Sequence, residues 1–428
     1  MSGQGPGSIS EAKRLLLEKL LSGKGSAAEA SPPPRIPRRA AGPFAPQSFN
    51  QEQVWTHSQL QADRPAYNEV VTLHHRGTLE APILERCFAE IVRRHEIWRT
   101  TFTQRDGEPV QVVHERGAQV SFPVHDLRAL PDGERDEASR RLATENAEQV
   151  FNLEQLPLWR GCLVRLRDDH HQLHLSIHQL IMDGVTVFQN LLKEIPPLYN
   201  AFLRGEPSPL SEPALQYADF AVWQRSRLTG DFLEPDLEYW RRKLAGPLPV
   251  LPWPDEFPRP PVQTFRGATE TRLIPSELID ALKKLASLES ASLFMVLTAG
   301  FIALLHRYTG QEDILLGTPA GNRESGTENL FGYFINMLPL RFDVAGDPPF
   351  RELLRRVRTV VAEALAHGRV PFLRILRELN LPRDPSRNPL FQLMITLEPI
   401  PASEDSGWTL TQAEVSCGAA KVDLDFSL

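Results

Sequence analysis

An imidazole, a carboxamide, a carboxylate and a glycine fall together in His178-Gln179-Leu180-Ile181-Met182-Asp183-Gly184. The preceding run, His174-Leu175-Ser176-Ile177, alternates polar and apolar as a buried strand does, and Val185 to Leu192 reads as a helix. The cluster therefore sits where a strand hands over to a helix, a place where a sheet holds side chains rigidly and a loop leaves them reachable. Alternation puts His174, Ser176 and His178 on one face, and Leu173, Leu175, Ile177 and Gln179 on the other. A metal site built from His171, His174 and His178 fails on length, because four strand residues span roughly 13 Å. Asp183 is either a base facing a cleft or a buried anion paired with an arginine. The paired role is favoured, since buried carboxylates are seldom left alone. Gly184 permits close backbone approach or a positive φ at the helix start.

The elements that must position this cluster come from a chain of 428 residues, enough for two domain-sized cores. With 54 acidic against 47 basic side chains and no long basic run, a nucleic-acid footprint is not indicated. Cys87, Cys162 and Cys417 form neither a disulfide framework nor a zinc spacing. No apolar run nears the ~20 residues that span a bilayer, and no signal peptide is evident. These features predict a soluble cytoplasmic protein, monomeric as an isolated domain, with no nucleic-acid or membrane partner.

Residues 1–22 hold an amphipathic helix over 8–22, capped by Ser8 with Glu11 and stopped at Gly23. It either packs on its own chain or docks another polypeptide. Residues 23–43 are rich in Gly, Ala, Ser and Pro and read as a linker. The folded body then divides into a first lobe, 44–188, and a second, 189–428. Strands are expected at Tyr67–His74, Val110–Val113, Gly161–Leu166, Asp313–Gly317, Met337–Phe342, Leu390–Leu397 and Lys421–Leu428. Helices are expected at Leu79–Arg94, Asp132–Phe151, Ser276–Leu288 and Ala291–Tyr308. The proline-crowded stretch Pro247–Pro261 is expected to cross the surface in extended form. The mixture predicts an α/β (α+β sandwich) fold of two similar lobes with a cleft between them.

Several stretches, in order, resemble the condensation domains of nonribosomal peptide synthetases, within the chloramphenicol-acetyltransferase-like superfamily. The strand-end cluster is similar to the family's His-His-x-x-x-Asp-Gly signature. Ser48 to Trp55, Arg94 to Phe102, Tyr217 to Trp223, Asp313 to Arg323, Phe331 to Leu338, His367 with Pro371-Phe372, and Ser386 to Gln392 resemble further family motifs. The resemblance implies two acetyltransferase-like lobes in a V around a central tunnel. It implies that upstream and downstream carrier proteins present thioester substrates there on phosphopantetheine arms, a cofactor of the carriers and not of this chain. An acyl or peptidyl thioester would be attacked by an aminoacyl amine to give an amide. Tyr67-Asn68-Glu69 and the opening segment faintly resemble condensation domains that follow polyketide modules. Residues 1–22 would then dock an upstream synthase polypeptide. The family normally continues beyond the strand at Lys421–Leu428, so the second lobe is expected to be truncated.

The sequence departs from the signature at Gln179, where the family's second histidine stands. An amide has no proton to exchange near neutral pH, so it cannot be a general base. It can accept a hydrogen bond from an attacking amine or donate one to the developing oxyanion. By the resemblance, the candidate site comprises His178, Gln179, Asp183 and Gly184. Arg323 is the candidate partner of Asp183, and Asn336 lies in the tunnel or supports it. His178 is expected to be structural, His95 and Arg99 to pack the lobes, and the helices bearing Trp223 and Trp240 to form core or interface. Two other functions stay open: a catalytically degenerate domain that binds carriers or recruits an enzyme, and an acyltransferase acting on a free small molecule.

Overall fold

The computed structural model describes residues 36–115, 117, 119–250, 252, 258–398, 407–413 and 415–428. The helix expected over 8–22 and the linker up to residue 35 lie outside them. Twelve strands occur among the described residues: β1 (Phe44–Pro46), β2 (Asn68–Arg76), β3 (Thr100–Arg105), β4 (Glu108–Val113), β5 (Val124–Asp126), β6 (Trp159–Arg167), β7 (His170–His178), β8 (Asp313–Gly321), β9 (Ile335–Asp343), β10 (Leu393–Thr396), β11 (Trp408–Gln412) and β12 (Leu424–Ser427). They form a five-stranded sheet, β11-β2-β7-β6-β5, a four-stranded sheet, β12-β10-β8-β9, and a small sheet, β1-β4-β3. The mixed α/β class expected from the sequence is the class observed.

The first sheet is built on the alternation of β7. Leu173, Leu175 and Ile177 are buried on one face. On the other, the His174 ring bonds Thr72 Oγ1 and Ser139 Oγ, each at 2.9 Å. A leucine or isoleucine sealed this way contributes about 1.5–3 kcal/mol by leaving water. Helices α1 (Phe49–Leu60), α2 (Ala81–Arg94) and α3 (Asp132–Ala147) lie in this half of the sequence. Ser48 caps α1, its Oγ accepting from the Gln51 N–H at 3.0 Å while the Gln51 side chain accepts from the Ser48 N–H.

The passage out of the first half is a helix, but not of one period. Gly184 and Val185 open it, Thr186–Leu191 form a π-helix, and α4 (Leu192–Leu203) continues. A regular helix was expected over Val185 to Leu192; the wide turn is a tertiary effect that local periodicity does not carry. The helix packs in the first core through Val187, Leu191, Ile195 and Leu198, as does α5 (Tyr217–Arg227) through Tyr217 and Phe220. Of these, Leu191, Ile195, Leu198, Tyr217 and Phe220 lie beyond residue 188, in the stretch read as the second lobe, and they share the first core with Val187. Glu194 on α4 also takes both Arg94 and His95 at the end of α2, tying the helix to this half. Residues 36–43, read as linker, are also bonded to the body. Ile36 is buried, Arg38 Nε donates to the Ala214 carbonyl at 2.9 Å, and the Arg39 N–H donates to Asp219.

The second core surrounds the four-stranded sheet with α6 (Glu234–Lys243), α7 (Ser276–Leu288), α8 (Leu293–Thr309), α9 (Phe350–Ala366) and α10 (Phe372–Leu379). Ser292 caps α8 and Gly310, at φ +69°, ends it. Strand β11 then leaves this half and pairs antiparallel with β2, Trp408 opposite His75 and Leu410 opposite Leu73. Trp408 lies on the His75 ring, 4.1 Å between centroids. Among the described residues no single helix is long and apolar enough to cross a membrane.

Candidate functional site

The antiparallel register of β2 and β7 sets Asn68 opposite His178, so the Tyr67 carbonyl accepts the Gln179 N–H at 2.9 Å. His178, 5% exposed, lies near the rings of Tyr67 and Phe151 and lines a cleft of about 540 Å³ with Asn68, Gln61 and Arg64. Its Nδ1 accepts from the Leu180 N–H at 3.2 Å, which the ring can do only when that nitrogen carries no proton. Burial, reinforced by the nearby Lys421 and Arg160 charges, holds its pKa down to about 3. The ring is therefore a neutral brace for the loop and a poor base near pH 7.

Gln179 has different neighbours. Its Nε2 donates to Glu69 Oε1 at 2.5 Å, and the same oxygen accepts from Lys421 Nζ at 2.9 Å. The ammonium also lies 5.3 Å from the centre of the Tyr67 ring, and the Lys421 carbonyl accepts from Asn388 Nδ2 at 2.7 Å. Burial alone would pull Lys421 down; the Glu69 carboxylate, by charge and hydrogen bond, holds it above its ordinary value. The Tyr67 hydroxyl bonds His57 Nδ1 at 2.7 Å, and burial holds His57 down to about 4.

Asp183 is clamped on three sides. Oδ1 accepts from Arg323 Nη2 at 2.7 Å and from the Thr186 N–H at 2.8 Å; Oδ2 accepts from the Phe334 N–H at 3.3 Å. The bond to Thr186 makes Asp183 the N-cap of the helix that Gly184 begins. Gly184 is thus helical and not in the left-handed region, one of its two expected uses. Arg323 spends Nη1 on the Thr327 and Leu330 carbonyls and lies over the Phe334 ring. Thr186 Oγ1 donates to the Gly332 carbonyl and accepts from the Gly332 N–H. The strand-end loop is thereby fastened to residues 323–334 of the second half. Gln51 fastens it from the other direction, Nε2 to the Leu180 carbonyl at 3.1 Å.

The structure brings His178, Gln179, Asp183, Gly184 and Arg323 into one neighbourhood. Asn336 is occupied elsewhere: its Nδ2 donates to the Gly368 and Val370 carbonyls and its Oδ1 accepts from the Phe372 N–H, so the buried amide braces the turn before α10. His95 bonds Glu194 and packs on Phe331, 4.0 Å between ring centroids; Arg99 reaches the His114 carbonyl. Trp240 is buried in the second core, with Nε1 donating to the His367 carbonyl. Sequence reasoning passed over Glu69 and Lys421. One signal was present: Glu69 shares strand parity with the buried Val71 and Leu73, where a carboxylate is out of place without a partner.

The condensation domain family model matches residues 43–427. One of the proteins that make up the linear gramicidin synthase of Brevibacillus parabrevis is 44% identical over 354 residues, which is 82% of this chain and 7% of that protein. This chain thus spans a small part of its relative's length. Among solved structures, the teicoplanin X-domain in its complex with OxyB superposes with a TM-score of 0.78 at 25% identity, covering 93% of this chain and 86% of that one. The first condensation domain of the calcium-dependent antibiotic synthetase shares the fold, with a TM-score of 0.77 at 21% identity, covering 90% and 87% of the two chains. With a match that runs from the residue before β1 to the end of β12, the chain belongs to the condensation domain family.

Proposed function

We propose that this chain joins an acyl or peptidyl group, carried as a thioester by an upstream carrier protein, to the amine of an aminoacyl thioester on a downstream carrier. The amine nitrogen attacks the thioester carbonyl carbon, the C–N bond forms, and the C–S bond breaks. The upstream phosphopantetheine sulfur leaves as a thiolate, and the one proton that the attacking amine gives up passes to that thiolate or to solvent. Phosphopantetheine reaches the site as part of the two substrates. In the same reading residues 1–22 dock an upstream polypeptide, and the reaction takes place in the cytoplasm.

The observation that carries the mechanism is Gln179 at the strand end, with His178 before it held down to about 3 by burial and His57, on the Tyr67 hydroxyl, held down to about 4. Neither ring is matched to take a proton near neutrality. An α-amine, with a pKa of about 7.7–8, is already partly neutral at cellular pH, and a thioester is a reactive donor. Holding the two together supplies much of the acceleration, and Gln179 adds one hydrogen bond to the reacting atoms. An alcohol needs its proton removed, so the site favours amide over ester formation.

A second reading, a non-catalytic platform, draws on the same glutamine and on the likeness to an X-domain seen with OxyB. Single-turnover mass spectrometry with loaded upstream and downstream carriers separates the two. The native chain is expected to form the amide, and Gln179→Ala to slow it about tenfold, the worth of one hydrogen bond of ~1.4 kcal/mol. No product from the native chain, with product restored by Gln179→His, rejects the active reading. Equal rates for the native chain and Gln179→Ala reject a direct part for Gln179.

A further inference from the structure

We propose that Glu69 and Lys421 are positioning residues that fix which end of the Gln179 amide meets the substrate. The inference rests on the amide-forming reading and adds the direction of the hydrogen bond. A carboxamide can present an acceptor or a donor, and rotation by half a turn exchanges them. An ionised carboxylate only accepts. With Glu69 Oε1 at 2.5 Å, the end of Gln179 that faces it must be the NH2 group. Lys421 Nζ, 2.9 Å from the same oxygen, holds it in place, and an ammonium only donates, so the atom between the two must be an acceptor. Lys421 is itself anchored, because Asn388 holds its carbonyl.

The consequence falls on the other end of the amide. Among the described residues no group donates to Gln179 Oε1, and that atom is not among the sealed polar atoms, so it is open to solvent. The site therefore offers an acceptor. Gln179 takes an N–H of the attacking amine, orienting its lone pair toward the carbonyl carbon, and does not donate to the oxyanion. Deleting Glu69 frees the amide to rotate, and the acceptor is presented only part of the time.

The test is a cycle on the two side chains. Glu69→Ala, Gln179→Ala and the double variant Glu69→Ala/Gln179→Ala are compared with the native chain in the single-turnover assay, with unfolding midpoints measured alongside. Glu69→Gln joins them as the conservative variant, because its amide oxygen, held by Lys421, still accepts from Gln179 Nε2. Glu69→Ala is expected to slow amide formation about tenfold, and Glu69→Gln to stay within about threefold of native. Acting through Gln179, Glu69→Ala adds no further loss to Gln179→Ala, whereas a role in folding alone slows both backgrounds alike. If Glu69→Ala does not fold, Glu69→Ala/Lys421→Met, which leaves no unpaired ammonium, takes its place in the cycle. A native rate in folded Glu69→Ala, or an equal further loss in the Gln179→Ala background, overturns the positioning and leaves amide formation standing. No amide from the native chain overturns both.

Discussion

Asp183→Ala separates a structural anion from a catalytic one. The substitution strips three acceptor contacts at once, from Arg323 Nη2, the Thr186 N–H and the Phe334 N–H. It also leaves the guanidinium of Arg323, whose side chain is only 12% exposed, without its counter-charge. Breaking a buried pair from one side costs about 3–5 kcal/mol, of which the lost cap is about 1 kcal/mol. Against a total stability of about 5–15 kcal/mol, that is a large fraction. Asp183→Asn keeps an acceptor for Thr186 and loses the charge, so it is expected to cost about 1 kcal/mol less. Urea unfolding followed by tryptophan fluorescence measures both. A cycle with Arg323→Ala and the double variant is expected to give a coupling of about 1–3 kcal/mol. The reasoning is refuted if Asp183→Ala shifts stability by less than about 1 kcal/mol while abolishing amide formation. Asp183 would then act on the reacting groups.

Two further outcomes follow from burial at the same junction. His178 has a folded pKa of about 3 against about 6.5 unfolded, so below pH 6.5 the unfolded chain binds more protons. Its contribution is present above that pH and lost as pH falls toward 3. The stability difference between native and His178→Asn is expected to shrink by about 2 kcal/mol from pH 7.5 to 5; a flat difference refutes the buried neutral ring. Gly332 has φ +152°, and a Cβ there would overlap the ring of Tyr217. Tyr217 cannot retreat, because its hydroxyl bonds Ser48 and the Tyr333 carbonyl. Gly332→Ala is expected to lose about 3 kcal/mol or more, and an unchanged melting temperature would contradict that packing.

What the sequence disclosed was periodic or local. Alternation along β7 was enough to separate the neighbours of His178 from those of Gln179. The span Ser276–Leu288 was legible from apolar spacing, and the need of Asp183 for an arginine from the rule that a buried carboxylate needs a cation, with Arg323 itself named by the family resemblance. Features that join distant positions stayed hidden. Glu69 finds Gln179 across 110 positions and Lys421 across 352, and no local pattern connects them. Residues 36–43 have a linker's composition, yet Arg38 bonds a carbonyl 176 positions away. Asn336 was left between two roles, in the tunnel or supporting it. Three backbone groups 32 to 36 positions away occupy its amide, which is the supporting role, and only the tertiary fold brings them to it.

The crossing of β11 to β2 sets an order of events during synthesis. Until residues 408–412 emerge, the β2 side of the first sheet ends in unpaired backbone donors and acceptors, with Leu73 and His75 lacking their cover. At 5–20 residues per second, the interval between the end of β2 and the arrival of β11 is on the order of 15–70 s. Throughout that interval the nascent first half presents an adhesive edge to neighbouring chains on the same polysome. Slowing translation between β7 and Trp408 is therefore expected to lower the yield of folded chain, and shielding that edge to raise it.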